Sequence, residues 1–356
     1  MSAPVIAHPV IAQAAPKTEA ALDDLLSTPH PALVAGIAAL AGDIVVLGVG
    51  GKMGPTLARL ARRAADEADG GRSGRRVVGV SRFTEPGLRE ALHGAGVETV
   101  AADLLDRAAV AALPAAPNVV FMAGRKFGST GGEALTWAMN SYVPALVAER
   151  YAGSRLVVFS SGNVYPLVPV ASGGATEETP PEPVGEYAQS VLGRERLFEH
   201  FSRQQGLAVV QLRLNYAIDL RYGILVDVAQ QVLAGEAVDV SMGHVNVIWQ
   251  GDANAVALRA LTLAASPPAV LNVTGPETVS VRWLAGRFGD LFGREARLTG
   301  EESPTALLNN AARCHRRFGY PAVPLDLMVE WVAAWVGRGA RTLGKPTHFQ
   351  EREGRF

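Results

Sequence analysis

Ile44-Val45-Val46-Leu47-Gly48-Val49-Gly50-Gly51-Lys52-Met53-Gly54-Pro55 is the stretch on which the fold turns. A four-residue apolar run ends in glycines. From Thr56 to Ala68 apolar residues return at helical spacing, with Leu57, Leu60, Ala61 and Ala64 on one face. Pro55 suits a first helical turn, where its missing N–H has no helical partner. Strand, Gly-rich turn and helix together make an anion site. Glycine lets the backbone approach a pyrophosphate, and the helix start supplies N–H groups and a positive dipole. Gly48, Gly51 and Gly54 stand as G-x-x-G-x-x-G, with Lys52 and Met53 inside the turn. The strict G-x-G-x-x-G order fails because Met53 holds the third glycine place, and Lys52 is not in the Gly-Lys-Ser/Thr order of a Walker loop. The stretch predicts a bound dinucleotide, NAD or NADP.

Outward from it, Val77 to Val80, Val97 to Ala101, Asn118 to Ala123, Arg155 to Phe159 and Ala208 to Leu212 are short, apolar and rich in β-branched residues. Helical segments separate most of them. Buried strands alternating with helices predict an α/β fold, a Rossmann-type doubly wound parallel sheet with a smaller C-terminal substrate lobe. The boundaries read as an N-terminal helical appendage over 1–42, a dinucleotide-binding domain over 43–214, a mainly substrate-binding lobe over 215–336 and a polar, Gly-rich tail over 337–356. In the appendage, Glu19 to Leu26 and Pro31 to Leu40 predict helices capped by Thr18 and Thr28. In the lobe, helices are expected over Ile224 to Ala234, Ala253 to Ala264 behind an Asp252 cap, around Trp283 to Phe292 after Ser280, and over Asp326 to Val336. Val245 to Trp249 and Leu271 to Thr274 predict strands.

The end of the second strand bears on the choice of dinucleotide. An acidic residue there would hold the adenosine ribose hydroxyls. The chain has Ser81 and Arg82 instead, and an arginine can pair bidentately with a 2′-phosphate. NADP is therefore favoured, with NAD as the other choice. Asp103 and Leu104, after the third strand, are placed to touch the adenine or to cap a helix.

Composition narrows the classes. The chain has 356 residues, 48% of them hydrophobic, and a formal net charge of -1. That balance carries no electrostatic footprint for nucleic acid or an anionic membrane. No apolar run approaches the ~20 residues of a membrane span. Met1 to Pro16 lack a basic segment, which argues against a secretory signal, and the cytoplasm is the expected location. One cysteine, Cys314, excludes an intramolecular disulfide and a multi-Cys metal site. The histidines are scattered with no H-E-x-x-H pattern, so no metal is expected. The G-x-S-x-G elbow of hydrolases is absent, because Phe159 stands at its first glycine.

Further motifs follow in order. They are Val119 to Lys126; Asn140; Phe159-Ser160-Ser161-Gly162-Asn163-Val164-Tyr165; Tyr187-Ala188-Gln189-Ser190; Leu212-Arg213-Leu214-Asn215-Tyr216; and Asn272-Val273-Thr274-Gly275. With the Gly turn, they make the chain resemble, from about Asp43 to Trp335, the extended short-chain dehydrogenase/reductase superfamily and its NAD-dependent epimerase/dehydratase group. The resemblance implies an epimerase, dehydratase or reductase that uses NAD(P) on a hydroxyl or keto group of a sugar-like small molecule. It puts Ala123, Gly124, Lys126, Asn140, Ser160 and Tyr187 beside the cofactor, and Ser161, Asn163, Asn215 and Arg221 beside the substrate. Ser161 would orient the substrate and Tyr187 would relay the proton. His244, Asn246 and Trp249 fall where such proteins line the substrate pocket, and the loop Pro166 to Pro183 is a candidate mobile flap. A homodimer is also implied, through the helix after Asn140 and the helix of Tyr187, with Ala138, Ala145, Val191, Leu192 and Leu197 on the packing faces.

One position departs from the pattern. The family's lysine, four residues after the tyrosine, is Val191 here. An unperturbed tyrosine titrates near ~10, so a base at neutral pH needs a cation beside it. Arg194, two helical turns on, and Lys126, beyond the fourth strand, are the candidates, and Lys126 is preferred. If neither acts, the chain is a catalytically impaired NAD(P)-binding protein with a binding or regulatory role. Cys314-His315, amid Arg313, Arg316 and Arg317, reads as surface or lobe packing, with a reactive thiolate as the other reading.

Overall fold

The computed structural model describes residues 14–355. Met1 to Gln13, most of the segment that argues against a secretory signal, lie outside the described residues. Seven strands form one sheet: β1 (Ile44–Leu47), β2 (Val77–Ser81), β3 (Glu98–Ala101), β4 (Asn118–Phe121), β5 (Arg155–Ser161), β6 (Ala208–Leu214) and β7 (Ala269–Val273). Their order is β7-β6-β5-β4-β1-β2-β3 and every pairing is parallel. The order reverses between β1 and β4. In doubly wound sheets the crevice outside the strand C-termini at such a switch point is where ligands bind.

The continuous apolar runs of β1 and β4 follow from cover on both faces. The helix Gly54–Ala68 lays Leu57, Leu60, Ala61 and Ala64 on one face, the residues expected to do so. Helix Val143–Arg150 covers the other with Val143, Leu146 and Val147, beside Phe198 of the helix Gly185–Gln205. The long connection into β2 is held by ions. Buried Arg62 pairs with Asp66, and Arg75 pairs with Asp69 while donating to the Ile37 and Leu40 carbonyls at 2.7 and 2.6 Å.

Several boundaries differ from expectation. Helices Glu19–Leu26 and Pro31–Ala38 are part of the body: Leu33 and Ile37 are fully buried in the core under the sheet, and Leu22 and Leu26 join the lobe core. Thr18 caps the first helix, but the imidazole of His30, not Thr28, caps the second; the Thr28 hydroxyl donates back to the Asp24 carbonyl. The lobe is not one continuous segment. Helix Gln250–Ala260 places Ala253, Ala257 and Leu258 under the sheet, and β7 returns to the sheet edge. Asp252 lies inside that helix and accepts from the Val323 N–H instead of capping. The expected strand Val245 to Trp249 is two short ones, His244–Val245 and Ile248–Trp249. Between them the carboxamide of Asn246 bonds to Glu277 and Asn309. The loop Pro166 to Pro183 is pinned: Val168–Pro169 pairs with Thr305–Ala306, and the Ala175 N–H donates to the Leu308 carbonyl. Cys314 is buried in the core under the sheet, and burial pushes its thiol up to about 12, which removes the thiolate reading. No helix among the described residues is long and apolar enough to cross a membrane.

Candidate active site

The C-terminal ends of β1, β4, β5 and β6 open into one cavity of about 150 Å³. At β1, Gly48 has φ +92°, and a Cβ there would sit 2.7 Å from the Ala123 backbone. A Cβ on Gly54 would come within 2.3 Å of the Val49 carbonyl, so the helix could not start against the strand with any other residue. Gly51 differs. A Cβ there would meet only its own turn, the Gly48 carbonyl at 3.3 Å, and otherwise project into open space. The helix begins at Gly54 with no side-chain cap. A glycine turn open on its outer side, below an uncapped helix start, fits a pyrophosphate.

Ser160 and Ser161 are the last residues of β5. The Ser160 hydroxyl donates to Glu195 Oε1 at 2.5 Å. Ser161 Oγ donates to Asn163 Oδ1 at 2.9 Å and accepts from the Asn163 N–H at 3.1 Å, which fixes it at the head of a short 3-10 turn. Tyr187 stands in the first turn of helix Gly185–Gln205, facing Ser161 across the cavity. Burial pushes its phenol upward, while a hydrogen bond with Ser161 and the charge of Arg194 pull it back. Val191, where the lysine would be, is turned into an apolar cluster with Val164 and Tyr165.

Two amines enter the cavity. Lys126 Nζ lies 5.7 Å from the Tyr187 ring centroid, and burial lowers its pKa to about 8. Lys52 is exposed along its length, but its ammonium end lies 3.4 Å from the Tyr222 ring centroid. Desolvation of that end lowers it to about 7, opposed by Asp219 and Asp227. Arg194 is buried behind Tyr187, donating to the Phe159 carbonyl at 2.6 Å and to Asn140 Oδ1 at 2.8 Å.

Of the expected residues, Lys52, Met53, Lys126, Ser160, Ser161, Asn163, Tyr187 and Asn215 meet in this cavity. Asn140 does not. It is fully buried in a π-type turn, Ala138–Tyr142, and its carboxamide holds the Arg125 backbone, Ser190 and Arg194. Gly124 is packed against Asn140 and Arg194, and Ala123 belongs to the core. Arg221 is turned away and paired with Asp219 and Asp23. Trp249 packs on Trp331 in the lobe core, and His244 and Asn246 do not line the cavity. Ser81 ends β2 and Arg82 follows it; Ser81 Oγ is pressed on Gly50 and accepts from the Phe83 N–H. Asp103 caps its own turn at the Leu105 N–H, and Leu104 is buried. Tyr216, Tyr222 and Thr347 line the cavity without having been anticipated. Tyr216 has φ +38°, a backbone conformation that non-glycine residues rarely hold and that clusters at functional sites. No group of acidic, His and Cys residues that could hold a metal occurs among the described residues.

Residues 44–218 match the model of the NAD dependent epimerase/dehydratase family. Over this segment the chain is similar to that family. No curated protein sequence matches it. Solved structures with this fold include UDP-glucose 4-epimerase of Thermus thermophilus complexed with NAD, at 20% identity and TM-score 0.67, covering 82% of this chain and 98% of that one. A putative epimerase from Burkholderia cenocepacia has 20% identity and TM-score 0.67, covering 84% and 99%. The dTDP-glucose 4,6-dehydratase of Streptomyces venezuelae has 19% identity and TM-score 0.68, covering 83% and 97%. At these identities the likeness carries the seven-stranded Rossmann fold.

Proposed function

We propose that the chain is an NAD(P)-dependent enzyme acting on a hydroxyl or keto group of a sugar-like small molecule. The observation that carries this reading is the convergence of Ser161, Tyr187 and Lys126 on one cavity that adjoins the Gly48–Gly54 turn. The turn, with Lys52 and Met53, would hold the dinucleotide, which supplies a hydride donor or acceptor when bound. Ser161, fixed by Asn163, orients the reacting oxygen. Tyr187 gives or takes its proton. Lys126 places positive charge beside the Tyr187 ring where the family lysine is missing, and Arg194, whose charge pulls the phenol down, adds to it from behind. Ser81 and exposed Arg82 favour NADP, whereas the solved relatives whose descriptions mention a dinucleotide name NAD. Val191 supports the second reading, a dinucleotide-binding protein without turnover.

Calorimetric titration with NAD and NADP tests the turn. Gly51→Ala meets only the Gly48 carbonyl, at 3.3 Å, a tight contact that a small shift of the turn relieves, so the protein should stay folded with little change in melting temperature and bind the dinucleotide at least about tenfold more weakly. Equal affinity in both proteins would remove the turn from the site. We also propose a homodimer through the helices around Asn140 and Tyr187, whose outer faces expose Leu135, Trp137 and Tyr142. Val191, expected on that face, is buried within the chain. Sedimentation at a single monomeric mass would contradict the dimer.

A further inference from the structure

The C-terminal residues are a wall of the cavity. Thr347 lines it, and its N–H and hydroxyl both donate to Asp227 Oδ2, at 2.8 and 2.6 Å. On either side the segment is tied down. The Leu343 N–H donates to the Arg221 carbonyl at 2.9 Å, beside the Asp219–Tyr222 turn that carries Tyr222 into the cavity. Phe349 is buried in the lobe core. Arg352 donates to the Thr305 carbonyl at 2.8 Å and its hydroxyl at 2.7 Å. Gly354 then packs on Val184 and Gly185, at the start of the Tyr187 helix; a Cβ on Gly185 would lie 2.4 Å from the Gly354 carbonyl. The segment thus runs from the Tyr222 turn to the Tyr187 helix.

Size and charge both limit what this wall leaves. A ligand of drug size or more asks for about 300–1,000 Å³, and the cavity offers about 150 Å³. Part of it adjoins Lys52 and Met53, on the dinucleotide's own turn. A second diphosphate needs cations, arginine above all; no arginine lines the cavity, and its two lysines are Lys52, on the dinucleotide's own turn, and Lys126, beside Tyr187. Arg194, Arg213, Arg221 and Arg352, on the surrounding elements, are all bonded to protein acceptors. The larger opening beside Asn309 and His315 shares no lining residue with this cavity.

We propose that residues 344–355 act as a fixed wall that sets specificity, restricting the substrate to a compact, non-nucleotide hydroxy or keto compound of monosaccharide size or smaller. The proposal rests on the reading of the cavity as the active site. UDP-glucose, titrated by calorimetry, is the probe, against the full chain, a chain ending at Leu343, and Arg352→Ala, which frees one anchor and keeps Phe349 in the core. The full chain should show no binding at millimolar UDP-glucose. Both variants should bind it, gaining at least about tenfold in affinity. Equal binding by the full chain and the variants overturns the proposal. So does failure of both variants to bind while their circular dichroism stays native. Runs with and without NAD separate the two claims: absent NAD binding would sink the active-site reading, whereas the UDP-glucose comparison reports on the wall alone.

Discussion

In the proposed mechanism the proton relay rests on Tyr187, and its support is electrostatic. Burial raises its pKa, so proton relay near neutral pH needs positive charge. Lys126 titrates at about 8, which fixes the sign of the pH effect. Its ammonium is present below that value and lost as the pH rises through it, so kcat/KM should fall above about 8. Lys126→Arg keeps the charge and should carry activity past that limit. Lys126→Met should lower activity throughout and show no fall near pH 8. A wild-type profile flat across this range, or one unchanged in Lys126→Met, would transfer the role to Arg194. That Ser161, Tyr187 and Lys126 meet at one cavity was legible in the sequence, because each lies at or after a strand end or opens a helix in a motif. Asn140 and Arg221, expected at the site, do not line the cavity; a sequence motif does not show which way a side chain turns. Asn140 is held by the Arg125 backbone, Ser190 and Arg194, and Arg221 by Asp219 and by Asp23 of the N-terminal helix.

At the scale of elements, one buried ion pair ties the Tyr187 helix to the sheet. Glu195, on the Tyr187 helix, accepts from Arg213 of β6 at 3.0 and 2.7 Å and from Ser160 of β5. Arg213 also donates to the Tyr165 hydroxyl at 2.8 Å. Removing one partner leaves a buried charge uncompensated, so Glu195→Ala should cost about 3–5 kcal/mol in urea unfolding. A loss within experimental error would mean that the pair adds no net stability. All seven segments were readable as strands, most because buried parallel strands are short apolar runs bounded by turns, but β7 was expected in the lobe and not at the sheet edge. The break at Asn246 was not, because it depends on contacts with Glu277 and Asn309, distant in sequence.

For the whole molecule, both ends of the described chain belong to the body. Leu33 and Ile37 fill space between the helices Gly54–Ala68 and Gln250–Ala260, and truncating either to Ala should cost about 2–5 kcal/mol by thermal or urea unfolding. Stability unchanged in both would restore the appendage reading. Neither terminus announced this role. The N-terminal helices are short, and the tail is polar and irregular, so its contribution of Thr347 depends on a long-range bond to Asp227. The proposed function requires that the assembled cavity relay protons despite Val191. The direct measurement is single-turnover absorbance of the reduced nicotinamide, with dinucleotide-saturated protein and a panel of compact hydroxy compounds. The wild-type chain should produce the signal with a member of the panel, and Tyr187→Phe should slow it by about 10²–10⁴-fold. Equal rates in the two proteins, or no signal from a wild-type chain that binds the dinucleotide, would contradict the account.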